Sequence, residues 1–202
     1  HSVPMGGSLH SQLDTPQNKL RSDFDKAHPE CIGKELVLYA PTFRDSAEKD
    51  SALAEKIDVA AFNREFPDKR LLIKLHPQIH SAEPAEGTVD VTGGDINELT
   101  LISDLLITDY SSVCMDFALL GKPCIFYAFD LESYEKERSF YYDYENYVPG
   151  TVAKDFAAVV ETIKNPRNDG EKLRRFRDFN FDYIDCENTK RIFEKVISGT
   201  SQ

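Results

Sequence analysis

Short apolar runs alternate along the chain with longer segments whose apolar residues recur at helical spacing. The apolar runs predict buried strands at residues 36–40, 71–75, 88–91, 105–107 and 124–127. The helical spacing predicts helices at residues 52–66, 95–102, 113–120, 156–163, 170–179 and 187–197. Strands that alternate with helices predict an α/β fold, a Rossmann-like parallel sheet with helices on both faces.

Two parts of the chain stand outside this alternation. Residues 1–33 are polar, and we expect a linker or cloning-derived residues there, with a possible docking helix around Leu20, Phe24 and Ala27. We expect residues 34–202 to form the domain. Residues 130–149 are aromatic and charged, and they are predicted to be a long loop of the kind that often serves as a lid.

Composition narrows the classes of function. The formal net charge of −11 and the pI near 4.9 argue against a general nucleic-acid-binding protein, which needs a basic surface. No apolar run approaches the length of a membrane-spanning helix. The four cysteines form no C-x-x-C pair, so no zinc site is expected, and with no secretory signal in view they suggest a reducing, cytoplasmic setting.

The most informative local pattern is an apolar run followed by a polar corner and a helix. Leu105–Ile107 precede the corner, which contains Ser111 and Ser112, and the helix that follows stops at Gly121. Free N–H groups and short hydroxyl side chains at a helix start favour an anion, so the turn is predicted to hold a phosphate. The alternative is that serine serves only as an ordinary helix cap.

Ligands of parallel α/β sheets bind at the carboxyl ends of the strands. Several polar residues directly follow predicted strands, and we expect them to converge at one edge of the sheet: Arg44, His76, Asp109, Ser111 and Ser112.

Each further candidate residue has a chemical reason and a simpler alternative. His76 could take up a proton or stabilise charge on a leaving phosphate, or hydrogen-bond its own loop. Arg44 could form paired bonds to phosphate or lie in solvent, and Thr42 could add a hydroxyl. Asp109 could meet a ribose hydroxyl, an incoming hydroxyl or backbone N–H groups. Arg138 could contact a diphosphate, or its aromatic segment could simply pack.

Two lysines have simpler expectations. Lys74 alternates with apolar neighbours and is predicted to be an exposed strand-end residue. Lys122 follows Gly121 and is predicted to be a helix-end charge that suits the macrodipole of its helix. A third basic feature, the run at residues 172–177, could touch anionic lipid headgroups or be a solvated helix face.

An ordered set of short motifs carries a family resemblance. The chain resembles the CDP-glycerol glycerophosphotransferases, the family of teichoic acid polymerases and primases. The motifs that carry the resemblance are Tyr-Ala-Pro-Thr-Phe-Arg at 39–44, Lys-Leu-His-Pro at 74–77, Asp-Ile-Asn-Glu-Leu at 95–99, Ser-Asp at 103–104, Thr-Asp-Tyr-Ser-Ser at 108–112 and Asp-Phe-Ala-Leu-Leu-Gly-Lys-Pro at 116–123.

The resemblance implies a GT-B enzyme in which two Rossmann-like domains face a cleft. Its carboxy-terminal domain binds a CDP-activated donor, and this chain resembles that domain alone. The acceptor side, with the expected catalytic base, belongs to the amino-terminal domain, so we expect the chain to bind nucleotide and to turn over poorly by itself.

The reaction that the resemblance implies moves glycerol phosphate from CDP-glycerol to a hydroxyl of a teichoic acid or capsule-like polymer. We expect metal-independent chemistry without a cofactor, at the inner face of the cell membrane and with peripheral membrane contact. Two alternatives stay open: a related GT-B transferase that uses CDP-ribitol or a nucleotide sugar, and a non-catalytic nucleotide-binding module.

Overall fold

Six parallel strands form one sheet in the part of the chain that the computed structural model describes, namely residues 17–42, 53, 55–75, 85–138, 142–166, 170–185 and 187–197. The strands lie in the order β3-β2-β1-β4-β5-β6. Their bounds are β1 Glu35–Tyr39, β2 Lys69–Ile73, β3 Thr88–Asp90, β4 Leu105–Thr108, β5 Cys124–Tyr127 and β6 Thr151–Ala153. The α/β fold class predicted from the sequence is confirmed.

Helices connect the strands, and several begin at an aspartate that caps the first turn. Asp58, Asp95, Asp143 and Asp155 each accept a bond from a backbone N–H of the helix that follows. The helices are α1 Gln17–Ala27, α2 Val59–Glu65, α3 Ile96–Ile102, α4 Val113–Leu120, α5 Leu131–Arg138, α6 Tyr144–Tyr147, α7 Phe156–Lys164, α8 Gly170–Asn180 and α9 Asn188–Ile192, with a π-helical turn at Phe193–Ile197.

The strand order reverses between β1 and β4. The chain builds β2 and β3 on one side of β1, then returns to place β4, β5 and β6 on the other side. This is the doubly wound order in which a crevice opens at the carboxyl ends of the two central strands. The crevice lies next to residue 40 after β1 and residue 109 after β4.

Both faces of the sheet are covered, because successive side chains of a strand point to opposite faces. On one face, α1, α3, α4 and α8 pack over one set of strand residues, which includes Leu36, Leu38, Leu72, Leu106 and Phe126. On the other face, α2 and α7 pack over a second set, which includes Val37, Tyr39, Leu71, Ile107 and Ile125. Burying each such leucine or isoleucine contributes roughly 1.5–3 kcal/mol.

Three elements differ from the sequence expectation. The helix predicted at 52–66 is broken by a turn, since Asp58 caps a separate helix that begins at Val59. The loop predicted at 130–149 contains the two helices α5 and α6. Strand β6 was not predicted. It follows Gly150, where a Cβ atom would lie 2.0 Å from the carbonyl oxygen of Cys124, so glycine permits its close approach to β5.

Lys122 caps a helix other than its own. Its ammonium group donates to the carbonyl oxygens of Leu101 at 2.6 Å and Ser103 at 2.7 Å, at the carboxyl end of α3. Its own helix α4 instead ends at Gly121, which takes a φ of 69°. The macrodipole that the lysine complements is therefore that of α3, and the sequence expectation was wrong about which helix.

Replacing Lys122 with methionine leaves the last carbonyl groups of α3 without their cation and half-buried. We expect the free energy of unfolding to fall by about 1–3 kcal/mol, measured by urea denaturation. Lys164→Met is the matched control, because the exposed Lys164 ammonium pairs with Glu65 at 2.6 Å and solvent screens such a pair, so its removal should lower stability much less. Equal losses in the two variants would contradict the capping role.

Candidate functional site

The carboxyl ends of the parallel strands bring several of the predicted residues to one edge of the sheet. Thr42 follows β1, and Asp109, Ser111 and Ser112 follow β4, the neighbouring strand. Arg44 and His76 lie outside the described residues. Arg138 ends helix α5, and its side chain also lies outside the description.

The two serines of the predicted phosphate turn have different surroundings. Ser111 is half-buried, and its Oγ accepts from the backbone N–H of Val113 at 3.4 Å. Ser112 is the N-cap residue of α4, is exposed, and makes no side-chain cap bond. Ser111 therefore performs the local capping, while the Ser112 hydroxyl faces solvent at the start of the helix, where anions are favoured.

Asp109 links the segments that follow the two central strands. Its side chain is 2% exposed, and Oδ1 accepts from the backbone N–H groups of Thr42 and Tyr110, each at 2.7 Å. The hydroxyl of Thr108 donates to the carbonyl oxygen of Ala40 at 2.6 Å, which adds a second link between the same segments. Of the three partners that the sequence left open for Asp109, the structure shows backbone N–H groups.

A group of tyrosine side chains lies on the protein side of the Ser111–Ser112 turn. Tyr110 stacks on Tyr134 with a centroid separation of 3.7 Å and donates to Asp130 at 2.9 Å. Tyr144 is buried, and its hydroxyl donates to the carbonyl oxygen of Asp109 at 2.7 Å. Burial raises the pKa of Tyr144, so the phenol stays protonated as a donor. These rings support the turn from the protein side.

The segment that precedes His76 is held by Thr92. Lys74 donates from Nζ to the carbonyl oxygen of Thr92 at 2.9 Å, and the backbone N–H of Leu75 donates to the Thr92 hydroxyl at 3.2 Å. Burial lowers the pKa of Lys74. Lys74 is thus half-buried and bonded, and the expectation of an exposed strand-end residue was wrong.

Asp116, which the sequence analysis did not select as a candidate, lies one turn after Ser112 on α4. Residues four apart share a helix face, and helical side chains lean toward the amino end, so the Asp116 carboxylate leans toward the turn. Within the described part of the chain, no hydrogen bond or ion pair involves it. Its place in the motif at 116–123 was the available signal, but a charge on a predicted helix gave no reason to choose it.

A separate cleft lies at the opposite, amino-terminal ends of the strands. Its volume is about 520 Å³, and its lining includes Asp104, Lys122, Pro123, Thr151 and Leu173. Asp104 accepts from the backbone N–H of Leu36 at 2.8 Å, and Lys122 caps α3, so these charged groups already have structural partners. The position of the cleft does not suit a ligand of a doubly wound sheet.

Two further features of the described residues bear on the kind of site. Among the residues that the structure describes, no group of three or more histidine, cysteine, aspartate or glutamate side chains is placed to hold a metal ion. None of the described helices combines the length and apolar character needed to cross a membrane.

Comparison with known sequences gives a family match and several relatives. The family model described as CDP-Glycerol:Poly(glycerophosphate) glycerophosphotransferase matches residues 15–198. The teichoic acid ribitol-phosphate polymerase TarL of Staphylococcus aureus is 35% identical over 190 residues, which cover 90% of this chain and 34% of that protein. The teichoic acid poly(glycerol phosphate) polymerase of Bacillus spizizenii is 36% identical over 177 residues, which cover 81% of this chain and 45% of that protein.

Solved structures show the same similarity. The wall teichoic acid polymerase TagF superposes with a TM-score of 0.76 at 27% identity, over 95% of this chain and 50% of that one. A TagF variant soaked with CDPG gives a TM-score of 0.77 at 29% identity. A UDP-GlcNAc 2-epimerase from Neisseria meningitidis, at 15% identity and a TM-score of 0.52, shares the fold. The chain spans about half the length of TagF and less than half the length of the two curated relatives.

The effect of the Asp116 charge on stability can be tested without a ligand. Burial raises the pKa of its carboxyl above the usual value of 3.8, so the native state holds this proton more tightly than the unfolded chain. Stability therefore falls as the pH rises between the unfolded and native pKa values, and ionised Asp116 is a cost at neutral pH. We expect Asp116→Asn to raise the Tm at pH 7 by about 2 °C, measured by calorimetry.

The gain should shrink as the pH falls below the usual pKa of 3.8. Asp182→Asn, at an exposed aspartate, is the control and should leave the Tm unchanged. A lower Tm for Asp116→Asn at pH 7 would mean that the carboxylate has a stabilising partner, and it would then be a poor candidate for ligand binding.

Proposed function

This chain belongs to the CDP-glycerol:poly(glycerophosphate) glycerophosphotransferase family, and we propose that it is the donor-binding domain of an enzyme that transfers glycerol phosphate from CDP-glycerol to a hydroxyl of a growing polymer. One observation carries the proposal. The Ser111–Ser112 turn begins a helix at the carboxyl end of β4, beside the reversal of strand order, which is where a doubly wound sheet binds a nucleotide.

The diphosphate of the donor fits the start of α4. The amino end of the helix favours negative charge, and the exposed Ser112 hydroxyl can donate to a phosphate oxygen. A net charge of −11 provides no general attraction for a phosphate, so local donors have to supply the binding energy. Thr42, Arg44 and Arg138 are the further proposed donors around the same phosphates.

The ribose of the donor fits Asp116. A carboxylate can accept from two neighbouring hydroxyl groups, and Asp116 is half-buried one helical turn from Ser112. Bonds to hydroxyl groups would replace the solvent that burial removes from this carboxylate. Asp116 thus takes the ribose role that the sequence had offered to Asp109.

In the proposed reaction an acceptor hydroxyl attacks the β-phosphorus of CDP-glycerol. A new P–O bond forms to the acceptor oxygen, the hydroxyl loses its proton, and the bond to the leaving CMP breaks. Such transfers depend mainly on positioning and on stabilising charge. We assign His76 to the charge on the leaving phosphate, as imidazolium. The base that removes the acceptor proton is proposed to lie outside this chain, and a metal-independent reaction stays a prediction.

CDP-ribitol is the second candidate donor. Relatives of both kinds match about equally well, since TarL is 35% identical and the poly(glycerol phosphate) polymerase 36% identical. The polymer acceptor and a location on the inner membrane face are likewise proposals. Arg174 and Arg175 are exposed on α8 and could contact anionic headgroups, whereas Lys172 donates to the carbonyl oxygen of Glu145 at 2.9 Å.

The serine turn is tested by removing both hydroxyl groups. Ser111→Ala/Ser112→Ala should weaken CDP binding by at least about tenfold, measured by titration calorimetry, because bonds to the diphosphate and the local cap are lost. Ser22→Ala, at an exposed position on α1, is the control. Unchanged affinity in the double variant would favour a binding or scaffold module whose site lies elsewhere.

The donor is tested by comparing nucleotides on the unaltered chain. CDP should bind at least about tenfold more tightly than CMP, because the second phosphate adds charge-assisted bonds at the turn. CDP should also bind more tightly than UDP, because the proposed donor carries cytidine. CDP-glycerol and CDP-ribitol are then compared by competition against CDP. A preference for UDP would exclude a cytidine-nucleotide donor. Tighter competition by CDP-ribitol than by CDP-glycerol would favour CDP-ribitol as the donor.

A further inference from the structure

We propose that Asp109 is a positioning residue, whose buried side chain fixes the segment after β1 to the turn that begins α4 and so sets the shape of the donor site without touching the donor. The inference rests on the proposed function, because it assigns the nucleotide to this edge of the sheet. It changes the role of Asp109 from a ligand of the substrate to a latch between two loops.

The latch consists of two bonds to one carboxylate oxygen, and one of them crosses the reversal of strand order. Oδ1 of Asp109 accepts from the backbone N–H of Thr42, which is 67 residues away in sequence, at 2.7 Å. The same oxygen accepts from the backbone N–H of Tyr110 at 2.7 Å, which fixes the start of its own turn. One atom therefore holds the loop after β1 and the loop after β4 at a set separation.

The surroundings of Asp109 favour positioning over ligand contact. Its side chain is 2% exposed, so a nucleotide could reach it only after the loops had moved apart. A carboxylate beside a diphosphate would also repel it, and accepting two N–H groups spreads that charge into the backbone. Tyr144 holds the Asp109 carbonyl oxygen from behind at 2.7 Å, so both the main chain and the side chain of this residue are anchored.

The separation of the two loops matters for binding because each loop carries proposed phosphate contacts. Thr42 follows β1, while Ser111 and Ser112 follow β4. Donors that are placed before the ligand arrives bind more tightly than donors that must first be ordered. Opening the latch should therefore lower donor affinity even though no contact to the donor is removed.

A double-mutant cycle on the 202-residue chain tests the latch. Thr42→Ala and Thr42→Pro both remove the hydroxyl, but only the proline removes the N–H that donates to Asp109. In the native background we expect the step from alanine to proline to weaken CDP binding by about tenfold, measured by calorimetry on folded protein. In the Asp109→Ala background the same step should change affinity by less than about twofold.

An asparagine variant distinguishes the positioning role of Asp109 from a direct contact with the donor. Asp109→Ala should weaken CDP binding by about tenfold, whereas Asp109→Asn keeps an oxygen acceptor and should stay within about threefold of the unaltered chain. An equal alanine-to-proline step in both backgrounds would overturn the proposal, as would an asparagine variant as weak as the alanine variant. Loss of thermal stability without loss of affinity would reduce Asp109 to a purely structural residue and would also overturn it.

Amide hydrogen exchange tests the latch independently of the donor. Without nucleotide, the amides of Thr42 and Tyr110 should exchange at least about tenfold faster in Asp109→Ala than in Asp109→Asn. If the unaltered chain does not bind CDP, the proposed function fails, and equal exchange in the two variants would additionally reject the latch. If CDP binds and the cycle shows no coupling, the latch alone is rejected.

Discussion

Strands β1 and β4 lie side by side at the centre of the sheet. After β1 the chain continues to β2 on one side, and after β4 it continues to β5 on the other side. Crossovers between parallel strands are right-handed, so this reversal places the following helices on opposite faces and leaves the two strand ends uncovered between them. In the part of the chain that the structure describes, the segments after β1 and β4 therefore meet without a helix above them. Every proposed contact to the donor depends on that opening, and the bonds of Asp109 and Thr108 to the other loop keep its walls together.

The side chains at the carboxyl-terminal edge of the sheet fall into two groups. Asp109, Tyr144, Thr92 and Lys74 are turned toward backbone groups and hold loops. In contrast, Ser112 makes no side-chain cap bond at the start of α4, and among the described residues no hydrogen bond or ion pair involves the Asp116 side chain. Burial raises the pKa of Asp116, so we expect its ionised form to lower the stability of the fold, as polar groups kept for binding commonly do. The residues that hold the loops therefore differ from those that we propose contact the ligand.

Local pattern was enough to predict most of this architecture. The runs that became β1, β4 and β5 are continuous and apolar, and the run at β2 is interrupted only by Lys74. The turn at Ser111 combines a strand end, small polar residues and a helix start within ten residues. Strand β6 could not be predicted from local pattern, because its three residues form a strand only by pairing with β5. That pairing depends on the close approach that Gly150 permits. Helix α5 was missed because its sequence, Leu-Glu-Ser-Tyr-Glu-Lys-Glu-Arg, presents no clear apolar face. The roles of Asp109 and Lys122 depend on partners distant in sequence, which periodicity does not reveal.

The most direct test is a crystal of this chain soaked with CDP-glycerol and examined by difference electron density. We predict density for the diphosphate at the start of α4, within hydrogen-bond distance of the Ser112 hydroxyl, with the ribose toward Asp116 and the Asp109 side chain still bonded to the Thr42 amide. Density in the cleft at the amino-terminal ends of the strands, with the Ser111–Ser112 turn unoccupied, would contradict the central claim.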